Sequence, residues 1–189
     1  SCNNLTLSDD TRLAVSILQD AESDPTKRIT QFDLVAWRKH LAKDLYVAES
    51  RYRTNVSAKK IGHGLFSTRS VKKNDAIAVY EGTMKTRDAY SADCELCKFR
   101  HVYGVNVGDE LILDTYDNRG RCFASYVNSY QDIHLPALDG RPMIREVGMN
   151  AQITYNQRQD TLTVRAIVDI PAGTEFLTDY GSDFEYEDW

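Results

Sequence analysis

The sequence predicts a mainly β domain preceded by a helical N-terminal segment, and three observations carry that prediction. Up to about residue 55, apolar residues recur three and four apart, the period of an amphipathic helix. After it they fall into short runs broken by glycine and proline, the pattern of many small strands. The stretch from Thr161 alternates, with Leu162, Val164, Ala166 and Val168 on one side and Thr163, Arg165 and Ile167 on the other, which is the period of a strand with a buried face. A chain of 189 residues is long enough for one core domain with an appendage. The expected division is a helical segment over 1–55, a β-rich domain over 56–182 and a short flank over 183–189.

Composition narrows the function classes. A net charge of −5 argues against a phosphate-backbone binder and suits a basic partner better. No run approaches the ~18 apolar residues of a membrane span, and no signal-peptide pattern is visible. The four cysteines, Cys2, Cys94, Cys97 and Cys122, do not form the framework of a small secreted scaffold, so reduced thiols in an intracellular protein are expected.

Taken in order, residues 9–20 carry Leu13, Ala14, Ile17 and Leu18 at helical intervals, with Ser8, Asp9 and Asp10 as caps and Asp24-Pro25 as a stop. A second helix is expected after Thr30, with Leu34, Trp37, Leu41, Leu45 and Ala48 on one face over nearly four turns. That face packs on the following domain or takes a partner. Arg51, Arg53, Lys59 and Lys60 form a basic connector. Ile61 to Ser67 then sets Gly62 and Gly64 one residue apart before an apolar step, where backbone can approach a ligand closely. Alone such a pair is a tight turn, and no G-x-G-x-x-G with a helix follows, so a Rossmann phosphate cradle is not supported.

Ala76 to Gly82 reads as a strand ending in Tyr80-Glu81-Gly82. Thr83 to His101 is polar and unassigned. Cys94-x-x-Cys97 lies within it, with His101 and Cys122 beyond, but one close pair falls short of the four convergent ligands of a zinc site, so no metal is expected. Val102–Val107 and Glu110–Asp114 read as a hairpin turning at Gly108-Asp109. Ala124 to Ser129 precedes some twenty residues with Pro136, Gly140, Pro142 and Gly148, a loop long enough to be functional or mobile. Asn150–Tyr155 is the next strand and leads to the alternating run of Thr161. Pro171-Ala172-Gly173 turns that run into a second short one, Glu175–Thr178, as a hairpin ending in Asp179-Tyr180-Gly181.

As an ordered set, Gly62-His63-Gly64-Leu65-Phe66-Ser67, Tyr80-Glu81-Gly82, Tyr126-Val127-Asn128, Asn150 and Val168 to Gly181 resemble the SET domain of S-adenosylmethionine-dependent protein lysine methyltransferases. The likeness covers about Lys59 to Phe184. It implies a fold of several small sheets with a C-terminal pseudoknot, an exception to unknotted topology, which brings Tyr180 beside Asn128. It implies S-adenosyl-L-methionine as cofactor, held by Gly62, His63, Gly64, Leu65, Asn128, Ser129 and Tyr180, with Phe184 and Trp189 over the adenine. Tyr180, Tyr80 and Tyr103 become the catalytic tyrosines around a lysine channel. A basic lysine-containing peptide or histone tail becomes the partner, and the nucleus the compartment. There are departures. The family's R-F-x-N-H-S-C reads Ser125-Tyr126-Val127-Asn128-Ser129-Tyr130, a long insert separates Asn128 from Asn150, and no cysteine-rich segment follows. Residues 183–189 then close the channel, and the small Thr178 stands where many members carry a Phe or Tyr that limits methylation state. The altered Asn motif leaves open an alternative, a SET-like binding or regulatory module without catalysis.

Overall fold

The computed structural model describes residues 31–54, 60–118, 121–131, 133–134, 148–156 and 160–181. The first expected helix, the residues 183–189 that were to close the channel, and with them Phe184 and Trp189, lie outside these residues.

Helix α1 (Gln31–Ala42) ends earlier than its apolar spacing predicts. Trp37 and Leu41 are buried on it and pack with Val79, so its inner face covers the domain that follows. Leu45 and Ala48 do not continue that face. They belong to strand β1 (Leu45–Glu49), which pairs antiparallel with β3 (His63–Ser67), Leu45 opposite Ser67 and Glu49 opposite His63. The run Leu45-Tyr46-Val47 fits both periods, and tertiary pairing decides it: Tyr46 stacks on Phe66 at 5.4 Å between ring centroids.

The remaining strands are β2 (Arg53–Thr54), β4 (Ala76–Val79), β5 (Thr83–Thr86), β6 (Gly104–Val107), β7 (Leu111–Asp114), β8 (Asn128–Ser129), β9 (Ile133–His134), β10 (Ala151–Asn156), β11 (Thr161–Ala166) and β12 (Leu177–Thr178). They form small sheets in the orders β1-β3, β10-β11-β4, β5-β7-β6, β2-β9 and β12-β8. All pair antiparallel except β12 with β8. The expected β6–β7 hairpin is present and turns at Gly108, whose φ of 69° favours glycine. Within the unassigned polar stretch lies helix α2 (Arg87–Leu96), its start capped where Thr86 Oγ1 accepts from Ala89 N at 3.3 Å.

The hairpin expected between Thr161 and Thr178 does not form. β11 pairs with β10 and β4, whereas β12 pairs with β8. Pro171-Ala172-Gly173 carries the chain across β3 instead: Gly173 N donates to Ser67 O at 2.8 Å and Phe176 N to Leu65 O at 2.9 Å. β12 is then flanked on both sides. Tyr130 N donates to Thr178 O on one edge, and Asn150 N donates to Leu177 O on the other. The C-terminal segment thus passes between the two ends of the connection from 131 to 149, the pseudoknot of the expected fold. Phe176, Leu177, Leu65, Val127, Ile170 and Val164 are all under 2% exposed around this crossing. Each contributes about 1.5–3 kcal/mol of burial.

Candidate functional site

The strand ends deliver the three expected tyrosines to one place. Tyr80 follows β4, Tyr103 closes the 3₁₀ turn Lys98–Tyr103 ahead of β6, and Tyr180 follows β12; all three line a cavity of about 570 Å³. Ile153, Leu162 and Tyr90 add to its wall, and Arg87 and Asp179 are its charged lining residues. Tyr80 is 6% exposed, and burial, followed by its neighbours Tyr180 and Cys122, pushes its phenol well above the ordinary tyrosine range. It therefore stays neutral. Cys122 brackets Tyr80 from behind: its Sγ donates to Val79 O at 3.5 Å and accepts from Glu81 N at 3.4 Å.

Tyr103 is held by a charged brace. Its carbonyl accepts from Thr115 N at 2.9 Å and Thr115 Oγ1 at 2.8 Å, and its ring meets Tyr116 edge-on at 5.4 Å. Arg100 lies over the Tyr116 ring at 4.6 Å and donates to the buried Asp114, which also accepts from Lys85 Nζ at 2.8 Å. Burial alone would raise the Asp114 carboxyl; hydrogen bonds from Lys85, Tyr116 N and Arg100 outweigh it and hold the group below the ordinary carboxylate range.

Tyr180 Oη donates to Val127 O at 2.5 Å, which ties the phenol to the residue before Asn128. Gly181, at φ 88°, makes the turn beyond it, and Asp179 Oδ1 accepts from Gly181 N at 2.8 Å. Asn128 in turn reaches the glycine pair. Its Nδ2 donates to His63 O at 3.0 Å and to Glu175 Oε1 at 2.8 Å. Gly62 has a φ of 93° with open space on its Cβ side, so the backbone there is free to approach a ligand. Gly64 differs: a Cβ added to it would lie 2.1 Å from Glu175 Oε1, so its missing side chain makes room for a carboxylate of the protein itself.

Two further residues expected at the cofactor also make bonds within the protein. Leu65 is fully buried in the core and its carbonyl is used by Phe176 N. Ser129 is 1% exposed, and its Oγ accepts from Gln131 N at 3.2 Å within the turn.

Sequence reasoning missed Glu175, Ser50 and the pinning role of Asn150. Asn150 Nδ2 donates to Glu175 O at 2.8 Å and its Oδ1 accepts from Leu177 N at 2.9 Å. Glu175 is 5% exposed, its other oxygen accepts from Ser50 Oγ at 2.8 Å, and burial raises its carboxyl above the ordinary range despite the donors Asn128 and Ser50. The available signal was a charge inside an apolar run, Glu175-Phe176-Leu177, where only a partnered carboxylate is tolerated. A neutral tyrosine-lined cavity thus adjoins, through Tyr180 and Val127, a glycine turn with an amide acceptor. The first suits an apolar chain ending in an amine, and the second an amino-acid group.

Residues 62–181 match the family model described as the SET domain. No curated protein matches the chain.

Proposed function

Since this chain belongs to the SET-domain family, we propose that it is a protein lysine N-methyltransferase using S-adenosyl-L-methionine, with basic lysine-containing peptides, histone tails among them, as substrates and the nucleus as its compartment. The observation that carries this reading is the convergence of Tyr80, Tyr103 and Tyr180 on one cavity whose Tyr180 corner is bonded to the residue before Asn128.

The donor set fits the cofactor. Gly62 leaves open space, and Asn128, both of whose amide hydrogens are engaged by His63 and Glu175, keeps Oδ1 as an acceptor. Gly62, His63 and Asn128 would hold the amino-acid end of the molecule, which supplies a methyl group on a positively charged sulfur. The protein's own residues then have three tasks. The aromatic cavity strips water from the substrate amine, and desolvation favours its neutral, nucleophilic form. The tyrosine hydroxyls orient its lone pair in line. Tyr180, already donating to Val127, offers its oxygen lone pairs to the amine's N–H and steadies the charge that grows on nitrogen. Among the described residues β6 pairs only with β7, and its other edge, beside the cavity, would suit an extended peptide.

The test is transfer of a radiolabelled methyl group from S-adenosylmethionine to a histone mixture, with Tyr180→Phe as control. Label on a lysine with wild type, and little with the variant, supports the reading; cofactor uptake with no transfer to any basic protein overturns it. One observation favours a second reading, a regulatory SET module: Ser129 stands where the family motif has histidine, and its side chain is buried in its own turn, accepting from Gln131 N. The same assay separates the two.

A further inference from the structure

Glu175 takes no part in the chemistry above, yet its carboxylate lies where three distant chain segments meet. Ser50, just beyond β1, donates to Oε2 at 2.8 Å; Asn128, at the start of β8, donates to Oε1 at 2.8 Å; and Gly64 of β3 leaves out the side chain that would displace it. A carboxyl group buried to 5% exposure at a cofactor cradle is costly unless it is engaged, and both its oxygens are.

The consequence falls on Asn128. A primary amide has two N–H donors, and here one faces His63 O and the other Glu175 Oε1, a carbonyl and a carboxylate. Turning the amide over would set Oδ1 against two acceptors, so its orientation follows from its partners. The His63 carbonyl alone would fix one hydrogen; the carboxylate fixes the second with a charge-assisted bond. Oδ1 is left as an acceptor. Of the two charged groups of an amino acid, an acceptor suits the ammonium and not the carboxylate.

We propose that Glu175 is a positioning residue of the cofactor end of the site, which through Asn128 presents Oδ1 to the α-ammonium of S-adenosylmethionine. The inference rests on the methyltransferase reading. It gives Ser50 a role as well, since Ser50 holds the far oxygen and so sets the rotamer of Glu175 from outside the family-matched residues 62–181.

The experiment is calorimetric titration of S-adenosylhomocysteine, which keeps the amino-acid end and cannot react, into wild type, Glu175→Ala, Asn128→Ala, the double variant and Glu175→Gln. If Glu175 acts through Asn128, each single alanine weakens binding by about tenfold or more, and the double is no weaker than Asn128→Ala alone. Glu175→Gln, which can still offer Oε1 to Asn128, stays within about threefold of wild type. Nitrogen-15 spectra of the ligand-free protein give a second readout: the Asn128 side-chain NH₂ pair, identified by its loss in Asn128→Asp, is protected in wild type and in Glu175→Gln. Should Glu175→Ala fail to fold, Ser50→Ala, which frees one carboxylate oxygen, is expected to lower that protection and the affinity together. Losses that add, or an unprotected amide in wild type, overturn the proposal while leaving the methyltransferase reading intact. A wild type that binds no S-adenosylhomocysteine overturns both.

Discussion

A Cβ placed on Gly64 would lie 2.1 Å from Oε1 of Glu175 and 2.4 Å from its carboxyl carbon, so these two residues, over a hundred positions apart, are fitted to each other. Gly64→Ala is therefore expected to act as an overpacking change in a closed site, costing about 1–3 kcal/mol. Gly62→Ala, with open space but a φ of 93°, should cost a similar amount through backbone strain alone. The two are told apart by adding Glu175→Ala. Urea unfolding should show the double variant with Gly64→Ala less destabilised than the sum of its parts, and the double with Gly62→Ala additive. Additivity in both pairs would mean that Glu175 is not what Gly64 makes room for.

Tyr180→Phe removes the hydroxyl that donates to Val127 O at 2.5 Å and leaves that carbonyl without it. The stability cost is about 1 kcal/mol, the usual net worth of such a bond. The cost to methyl transfer should be larger, about a hundredfold in kcat, as for other preorganised polar groups at a reacting centre. Initial rates at saturating cofactor, beside thermal melts, separate the two effects. A variant with wild-type kcat would remove Tyr180 from the chemistry.

Part of this site was legible beforehand because some of its residues sit at turns and strand ends. Gly62 and Tyr180 stood out as a glycine and an aromatic at the edge of an apolar run, whereas Tyr80, Tyr103 and Asn128 entered as site residues through the resemblance to the SET domain. Less legible was what depends on pairing between distant segments. Leu45 and Ala48 fit a helical face as well as a strand, and only β3 decides between them. Alternation shows that the chain before Pro171 and the chain after Gly173 are strands; it cannot show that β12 leaves β11 to pair in parallel with β8. Helix α2 escaped because its outer face is polar and Tyr90 is its buried residue. Glu175 escaped because a lone acid in a strand carries no sign of its partners, which lie at positions 50, 64 and 128.

The brace under Tyr103 gives stability a component that acid should remove. Asp114 is 4% exposed and accepts from Lys85, Arg100 and Tyr116 N, which hold its carboxyl below the ordinary value of about 3.9. A carboxyl depressed on folding stabilises above its unfolded value, and that contribution is lost as pH falls from about 5 through the folded value. Asp114→Asn leaves two cations facing a neutral amide. Their side chains keep 21% and 16% exposure, so the loss should lie at or below the low end of about 3–5 kcal/mol. Unfolding free energies across this range should show wild type falling toward the variant in acid. Parallel curves would mean that Asp114 carries no such charge-dependent term.

Glu175 should give the opposite sign. Burial raises its carboxyl in the folded protein, partly offset by Asn128 and Ser50, so the native state holds this proton more tightly than the unfolded chain does. Stability tied to it is therefore greatest in acid and declines as pH rises from the ordinary value of about 4.3 to the raised folded value, above which it is level. Glu175→Gln cannot ionise and fills the same space, with Oε1 for Asn128 and an amide that Ser50 Oγ can accept from. The difference in unfolding free energy, wild type minus Glu175→Gln, should accordingly become less favourable to wild type as pH rises through that window and then flatten. Because Asp114 contributes equally to both proteins, it cancels in the difference, which isolates Glu175. A flat difference across the window would mean that the buried carboxyl titrates as it does in the unfolded chain, and that Asn128 and Ser50 compensate its burial in full.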